Sequence, residues 1–227
     1  MTTIGDSAFS RCDSLKSIDL PDSVTTIGGG AFSGCSLLTS VEVSEKSENY
    51  ISVDGVLFTK DRKTFVQYPA GKKDKEYAIP SGVTTIGGYA FSGCSSLESI
   101  DLPDGVTTIG DRAFSECSSL ESIDLPDSVT TIGNWAFSRC RSLKSIDLPD
   151  SVTTIGDCAF SECSSLESID LPDSVTTIAD EAFDGCPSLT IRAPKGSFAE
   201  EYAKEKKSNL KPPNRRERFA RRKTRTF

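Results

Sequence analysis

A repeat of 23 residues dominates the sequence, and no other feature restricts the fold as strongly. The unit reads T-T-I-G-x-x-A-F-S-x-C-x-S-L-x-S-I-D-L-P-D-S-V. A unit this short cannot bury its apolar side chains alone, so the copies are expected to stack as the coils of a solenoid, each in contact with its neighbours only. Seven copies begin at Thr2, Thr25, Thr84, Thr107, Thr130, Thr153 and Thr176.

The copy that begins at Thr107 predicts the local structure of one coil. Residues 122–125 alternate polar and apolar, which is typical of a short strand, and Pro126 ends it. Residues 129–132 form a second extended piece, and 111–117 are expected to form one or two helical turns. The predicted fold class is therefore a solenoid of short parallel strands with turns and brief helical segments. Its predicted core positions are Ile109, Ala113, Phe114, Cys117, Leu120, Ile123, Leu125 and Val129.

The chain is predicted to contain one solenoid over residues 1–198, a C-terminal capping segment over 199–210 and a basic, disordered tail over 211–227. Residues 48–83 are a degenerate repeat inside the solenoid. Within it, two apolar runs, Val56–Thr59 and Thr64–Tyr68, flank a charged turn and predict a hairpin.

The first coil has no segment before it that resembles a cap. We therefore expect Ile4, Phe9 and Leu15 to be exposed there. Two interpretations follow: the chain is a piece or short relative of a longer array, or it self-associates end-on through this coil.

The unit pattern resembles that of the BspA-like leucine-rich repeat family. The resemblance extends from Thr2 to about Tyr202, and the signature I-G-x-x-A-F-x-x-C recurs with little change. The insert contains Asp54–Phe58 and Tyr77–Pro80, which are similar to a degenerate repeat often found within such arrays. The resemblance implies a leucine-rich repeat solenoid that binds a protein or glycan without catalysis, as surface or secreted adhesion and recognition proteins do.

Composition argues against an enzyme. The chain has no histidine, so it cannot form a Ser-His-Asp triad, a Cys-His dyad or an imidazole metal site. It has no C-x-x-C spacing of the kind that a zinc site requires, and no carboxylate pair stands out from the repeats. We expect no catalytic activity, no cofactor and no metal.

Localisation is left open by the sequence. No run approaches the ~20 apolar residues of a membrane span, and no secretory signal precedes the repeat. Members of the family that this chain resembles are mostly surface or secreted proteins. Free thiols instead favour a reducing compartment such as the cytoplasm.

The eight cysteines fall into two groups. Seven share one repeat position and are expected to be buried thiols that act as small hydrophobes. Cys158 stands at a variable position and is expected to be exposed.

One face of the predicted strands is acidic and hydroxylated. Alternation points every second strand residue away from the core, so these side chains are expected to form ladders on the sheet surface. The ladders either bind a partner or serve only to keep the face solvated. If the face binds nothing, the chain is a structural or assembly module without a specific ligand. The candidate partner-binding residues are Asp19, Glu98, Ser99, Asp101, Glu121, Ser122, Asp124, Lys144, Ser145, Asp147, Glu167, Ser168 and Asp170.

The charge of the chain is divided between its two parts. Residues 199–227 hold eleven basic and four acidic residues, so the net charge of −7 combines a body of −14 with an end of +7. The basic cluster that begins at Arg215 is typical of a nuclear localisation signal or of a contact with nucleic acid or anionic lipid. It is equally suited to lie against the acidic solenoid or to remain a solvated tail.

Overall fold

The computed structural model describes residues 1–206 and the backbone of residues 209–211. The chain forms a β-solenoid of about eight turns with the 23-residue repeat. Each regular coil contributes one strand to each of two parallel sheets, and equivalent residues of successive coils lie in register, as at Ser99, Ser122 and Ile109, Ile132. The predicted fold class is confirmed.

The first sheet, which we call the Ser-Ile-Asp sheet, has seven strands. Beside it the two N-terminal coils form a separate parallel pair, β2 and β4. The seven strands are β8 (Glu76–Ala78), β10 (Ser99–Asp101), β12 (Ser122–Asp124), β14 (Ser145–Asp147), β16 (Ser168–Asp170), β18 (Thr190–Arg192) and β19 (Asn209–Lys211), and the separate pair is β2 (Ser17–Leu20) and β4 (Ser40–Val43).

The second sheet, the Thr-Ile sheet, has eight strands, and here too the two N-terminal coils form a separate pair. Its strands are β5 (Tyr50–Val53), β6 (Val56–Thr59), β7 (Thr64–Gln67), β9 (Thr85–Ile86), β11 (Thr108–Ile109), β13 (Thr131–Ile132), β15 (Thr154–Ile155) and β17 (Thr177–Ile178), and the separate pair is β1 (Thr3–Ile4) and β3 (Thr26–Ile27).

The third side of each coil is a stack of turns. The helical turns predicted over 111–117 are wrong: this segment is hydrogen-bonded turn. The N–H groups of Arg112, Phe114 and Glu116 donate to carbonyls of the next coil, each at 2.8 Å, while those of Ala113 and Cys117 close turns within the coil. Positive φ angles at Arg112 (57°) and Glu116 (63°) make this alternation possible. In a helix these N–H groups would donate to carbonyls of the same coil. In the turns, three of them donate to the next coil and so join neighbouring coils.

The insert is an antiparallel meander. β6 and β7 form the predicted hairpin, which is confirmed, and β5 adds a third strand that the sequence did not predict. β7 then pairs in parallel with β9, so the meander joins the Thr-Ile sheet of the following coils.

The core runs along the inside of the coils. All eight predicted core positions of the Thr107 unit are buried, with exposures of 0 to 6 %. Phenylalanines stack along the axis: the rings of Phe114 and Phe137 are 5.1 Å apart, and those of Phe137 and Phe160 are 5.3 Å apart. Each stacked ring covers the next, so the core side chains of the middle coils are almost completely shielded from water.

Both ends differ from the middle. At the first coil, Ile4 is buried at 4 % exposure, so the expectation that it is exposed is wrong, whereas Phe9 and Leu15 are half-buried. At the other end, α1 (Phe198–Glu205) is the one helix in the described part of the chain, and the Ser197 hydroxyl caps it by accepting from the N–H of Glu200 at 3.1 Å. The boundaries of the capping segment stay a prediction, and the basic tail beyond Lys211 lies outside the described residues.

Candidate interaction surface

The Ser-Ile-Asp sheet places its aspartates in one column. Asp101, Asp124, Asp147 and Asp170 are in register on successive strands, and Asp101 and Asp124 are exposed. Equivalent residues of paired strands lie ~4.8 Å apart, where two carboxylates in water repel by about 1 kcal/mol. The column is therefore a site where a positive group is attracted.

A second column, nearer the start of each strand, is partly neutralised. The Lys75 amine lies 2.7 Å from the Glu98 carboxylate, and the Lys144 amine lies 2.9 Å from that of Glu121. Both pairs are exposed and join adjacent coils. These lysines offset Glu98 and Glu121, so the negative charge on the strands of Asp101 and Asp124 is concentrated on the two aspartates.

The predicted column is interrupted and uneven. Asp19 is exposed but belongs to the separate N-terminal pair, where it faces Glu42, and Ala78 holds the corresponding place in the insert beside Asp101. The exposure of the aspartates falls toward the C-terminal end, where Asp147 is half-buried and Asp170 is 7 % exposed. Arg192 lies 3.8 Å from the Asp170 carboxylate and supplies a counter-charge.

The remaining predicted residues lie along the same sheet. The charged ones and Ser122 are exposed, and three serines are half-buried between the columns. Sequence reasoning missed two positive groups of this face: Lys75, which lies in the degenerate insert, and Arg192, which replaces the aspartate in the last unit. The predicted residues of these two classes are Glu98, Glu121, Ser122, Lys144 and Glu167, which are exposed, and Ser99, Ser145 and Ser168, which are half-buried.

Cys158 is buried, at 2 % exposure, so the expectation of an exposed thiol is wrong. Its Sγ lies 3.4 Å from Oε2 of Glu181, and the ligand atoms of Asp157, Cys158 and Glu181 all lie within 4.8 Å of one another. Burial, together with these carboxylates, raises the pKa of the Cys158 thiol to about 12. The thiol is therefore protonated at neutral pH and donates a hydrogen bond to the Glu181 carboxylate.

The repeated cysteines form a column of free thiols. Five of the seven are buried as predicted, and Cys12 and Cys186, in the outermost regular coils, are half-buried. The Sγ of Cys117 donates to the carbonyl of Phe91 at 3.1 Å. Burial raises the pKa of Cys117 to about 12, so this thiol stays protonated at neutral pH and contributes packing and a hydrogen bond.

The repeat geometry and the sequence agree on a family. A family match to the BspA type leucine rich repeat region, in six copies, covers residues 1–60 and 70–190. The chain belongs to the BspA-type leucine-rich repeat family. Leucine-rich repeat proteins of this type are generally non-catalytic binding scaffolds, and no enzyme family is indicated for the chain. Comparison with curated proteins finds no match.

Solved structures of bacterial leucine-rich repeat proteins share this fold. A leucine-rich cell surface protein from Faecalibacterium prausnitzii is 38% identical with a TM-score of 0.79, covering 88% of this chain and 52% of that one. A leucine-rich repeat protein from Eubacterium ventriosum is 34% identical with a TM-score of 0.79, covering 86% and 52%. The pneumococcal vaccine antigen PcpA is 25% identical with a TM-score of 0.65, covering 94% and 58%. This BspA-type chain thus spans about half the length of these relatives.

The described part of this BspA-type chain contains no helix with the length and hydrophobicity that a membrane span requires.

Proposed function

We propose that the chain is a non-catalytic recognition scaffold that holds a basic segment of a protein partner on the aspartate column of its Ser-Ile-Asp sheet. The observation that carries this proposal is the exposure of Asp101 and Asp124 on neighbouring strands in register. The backbone fixes the two residues on adjacent strands, so their carboxylates can separate only as far as their short side chains allow. A lysine or arginine placed between them offsets the repulsion and gains charge-assisted hydrogen bonds.

The neighbouring residues support a basic protein segment as the occupant. The Lys75–Glu98 and Glu121–Lys144 pairs leave the second column with little net charge. A partner is therefore attracted to the aspartates in particular rather than to the sheet as a whole. Membership of a family of binding scaffolds, and likeness to a bacterial cell surface protein, agree with a recognition role. Two other functions compete with this one: recognition of a glycan on the same face, and a structural module that has no specific ligand.

The proposal is tested with a fluorescent oligolysine peptide whose binding is followed by anisotropy. The full chain is compared with the double variant Asp101→Asn, Asp124→Asn. We expect the variant to bind the peptide about tenfold more weakly, because it loses two charge-assisted contacts.

The matched control is Asp104→Asn with Asp173→Asn, which removes the same charge from exposed turns. We expect its affinity to stay within about twofold of the full chain. An equal loss in both variants would show attraction by net charge alone and would refute the proposal. A chain that ends at Lys211 is measured in parallel, so that the basic tail cannot compete for the face. No saturable binding by either length would favour the structural module.

A further inference from the structure

The repeat varies most at one position of the turn stack, two residues after the glycine of T-T-I-G. Elsewhere the units are nearly identical, but here large side chains replace one another, and three of them are consecutive. Sequence reasoning did not assign this position a role, although its variability in an otherwise constant unit was a usable signal. The residues along the axis are Ser7, Gly30, Tyr89, Arg112, Trp135, Cys158 and Glu181.

The three consecutive large residues form a stack, which we call the turn-edge stack: Tyr89, Arg112 and Trp135. The guanidinium carbon of Arg112 lies 5.7 Å from the centre of the Tyr89 ring and 4.9 Å from that of Trp135. All three residues are half-buried. The opposite side of Tyr89 lies against Gly30, where an added Cβ would approach the ring to 3.2 Å. The guanidinium is thus fixed between two rings in a geometry that favours cation–π attraction.

The backbone beneath the stack is in the left-handed region. The φ angles are 63° at Tyr89, 57° at Arg112 and 59° at Trp135, and Gly30 has 63° at the same position. The coil therefore requires this conformation, and glycine adopts it without strain. Ser7 (56°) and Cys158 (51°) adopt it in other coils as well, so the conformation belongs to the repeat backbone. Closing the turn therefore does not require large residues at this position in three successive coils.

The charge of Arg112 is not neutralised by a carboxylate of the described residues. In the next column Arg139 lies 3.1 Å from each of Glu116 and Glu162, which join three coils. Arg112 has no such ion pair in residues 1–206, and the adjacent Asp111 carboxylate accepts from the backbone N–H of Asn134 at 2.7 Å. With rings on both faces, the guanidinium offers its edge of N–H donors to a ligand.

We propose that the turn-edge stack is a docking site for an acidic segment of a protein partner. The edge of Arg112 binds a carboxylate through two parallel hydrogen bonds, and the edges of Tyr89 and Trp135 pack against apolar groups beside it. Tyrosine, tryptophan and arginine are the residues that contribute most to protein interfaces. The aspartate column repels the same segment, which directs it to this edge of the coil. This site is independent of the basic segment proposed above, because its charge and its side of the coil are different.

Trp135 is the only tryptophan of the chain, so its fluorescence reports on the stack directly. The probe is an acetylated and amidated peptide of alternating glutamate and leucine, and the control peptide has glutamine in place of glutamate. We expect a saturable change in Trp135 emission with the glutamate peptide only. Arg112→Gln should weaken that binding about tenfold, and Arg112→Lys should also weaken it, because lysine keeps the charge but lacks the planar fork.

The matched control is Arg141→Gln, which removes an exposed arginine without a ring contact and should leave the affinity within about twofold. Equal weakening in the Arg141 variant, or no saturable response to the glutamate peptide, would overturn the proposal. Arg112→Gly separates docking from folding, because glycine suits the left-handed backbone. Loss of the response at an unchanged or higher unfolding midpoint supports docking, and a response that survives in this variant overturns it.

Discussion

The two N-terminal coils and the array that begins at Thr84 share one repeat but differ in how completely they are packed. The N-terminal coils form ladders of only two strands, whereas the strands of the array belong to the seven- and eight-stranded sheets. Phe9 of the first coil is half-buried, while Phe137 of the array is fully buried at 0 % exposure. Because a coil is stabilised mainly by its two neighbours, the same sequence unit contributes less to the free energy of unfolding where it has fewer neighbours.

The insert separates the two regions into different cores. Strand β6 alternates between them: Leu57 packs into the N-terminal cluster, while Val56 and Phe58 pack into the core of the array. A cleft of about 270 Å³, lined partly by Tyr50 and Gln67, lies where the meander meets the second coil. The insert therefore acts as a joint between two packed units, and the N-terminal coils are expected to unfold more readily than the array.

The largest expected effect comes from removing one ring of the phenylalanine stack in the array. Phe137→Ala leaves a cavity between Phe114 and Phe160 and should lower the free energy of unfolding by about 3–5 kcal/mol. Phe9→Ala removes a ring that water already reaches and should cost only about 1 kcal/mol. Urea unfolding followed by Trp135 fluorescence reports on the array and by circular dichroism on the whole chain. Equal costs for the two substitutions would contradict the difference between the regions.

Alkaline pH should destabilise both cores through their buried thiols. Burial raises the pKa of Cys117 in the array to about 12 and also raises the pKa of Cys35 in the N-terminal core, from an ordinary value of 9.0. Below about pH 9 both states keep the thiol proton, so stability is unaffected. Above it, the unfolded chain loses the proton while folded Cys117 keeps it up to about pH 12. For Cys117, unfolding is therefore favoured by about 1.4 kcal/mol per pH unit between these two values.

The measurement is the slope of the unfolding free energy against pH from 9 to 11. Cys117→Ala should make that slope shallower by about 1.4 kcal/mol per pH unit, the contribution of one thiol. Cys35→Ala should also make the slope shallower. Ser118→Ala, which removes a neighbouring group that does not titrate in this range, is the control. A slope that is unchanged in Cys117→Ala would mean that the thiol already ionises in the folded state.

The repeat predicted what one coil shares with the next. The strand at 122–124 and core positions such as Phe114 were predictable, because alternation and burial repeat with the unit. The hairpin of the insert was predictable from its two apolar runs around a charged turn. The turns at 111–117 were not, since their alternating φ angles depend on carbonyls of the following coil. A pattern read along one unit suggests a helical turn there and contains no information on the neighbour that replaces it.

The sequence also did not show which side chains of neighbouring coils would meet. Asp170 is one of a column of aspartates in the sequence, yet Arg192 from the last regular coil lies against it. In other coils the position of Cys158 is occupied by larger, half-buried side chains such as Trp135. The shorter side chain of Cys158 is buried and lies beside Glu181. Both cases depend on contacts between coils, which residue type and spacing do not specify.

The smallest expected effect tests the joint itself. The Tyr50 hydroxyl accepts from the backbone N–H of Ile27 at 3.0 Å, a bond that links the insert to the second coil. Tyr50→Phe leaves that N–H without its partner and should cost about 1 kcal/mol. If the N-terminal coils open separately, amide exchange at Thr3–Ile4 and Thr26–Ile27 should speed up about fivefold, while exchange in β11 and β13 stays unchanged. Equal acceleration in both regions would mean that the molecule opens as one unit, and the two cores would then be one cooperative structure.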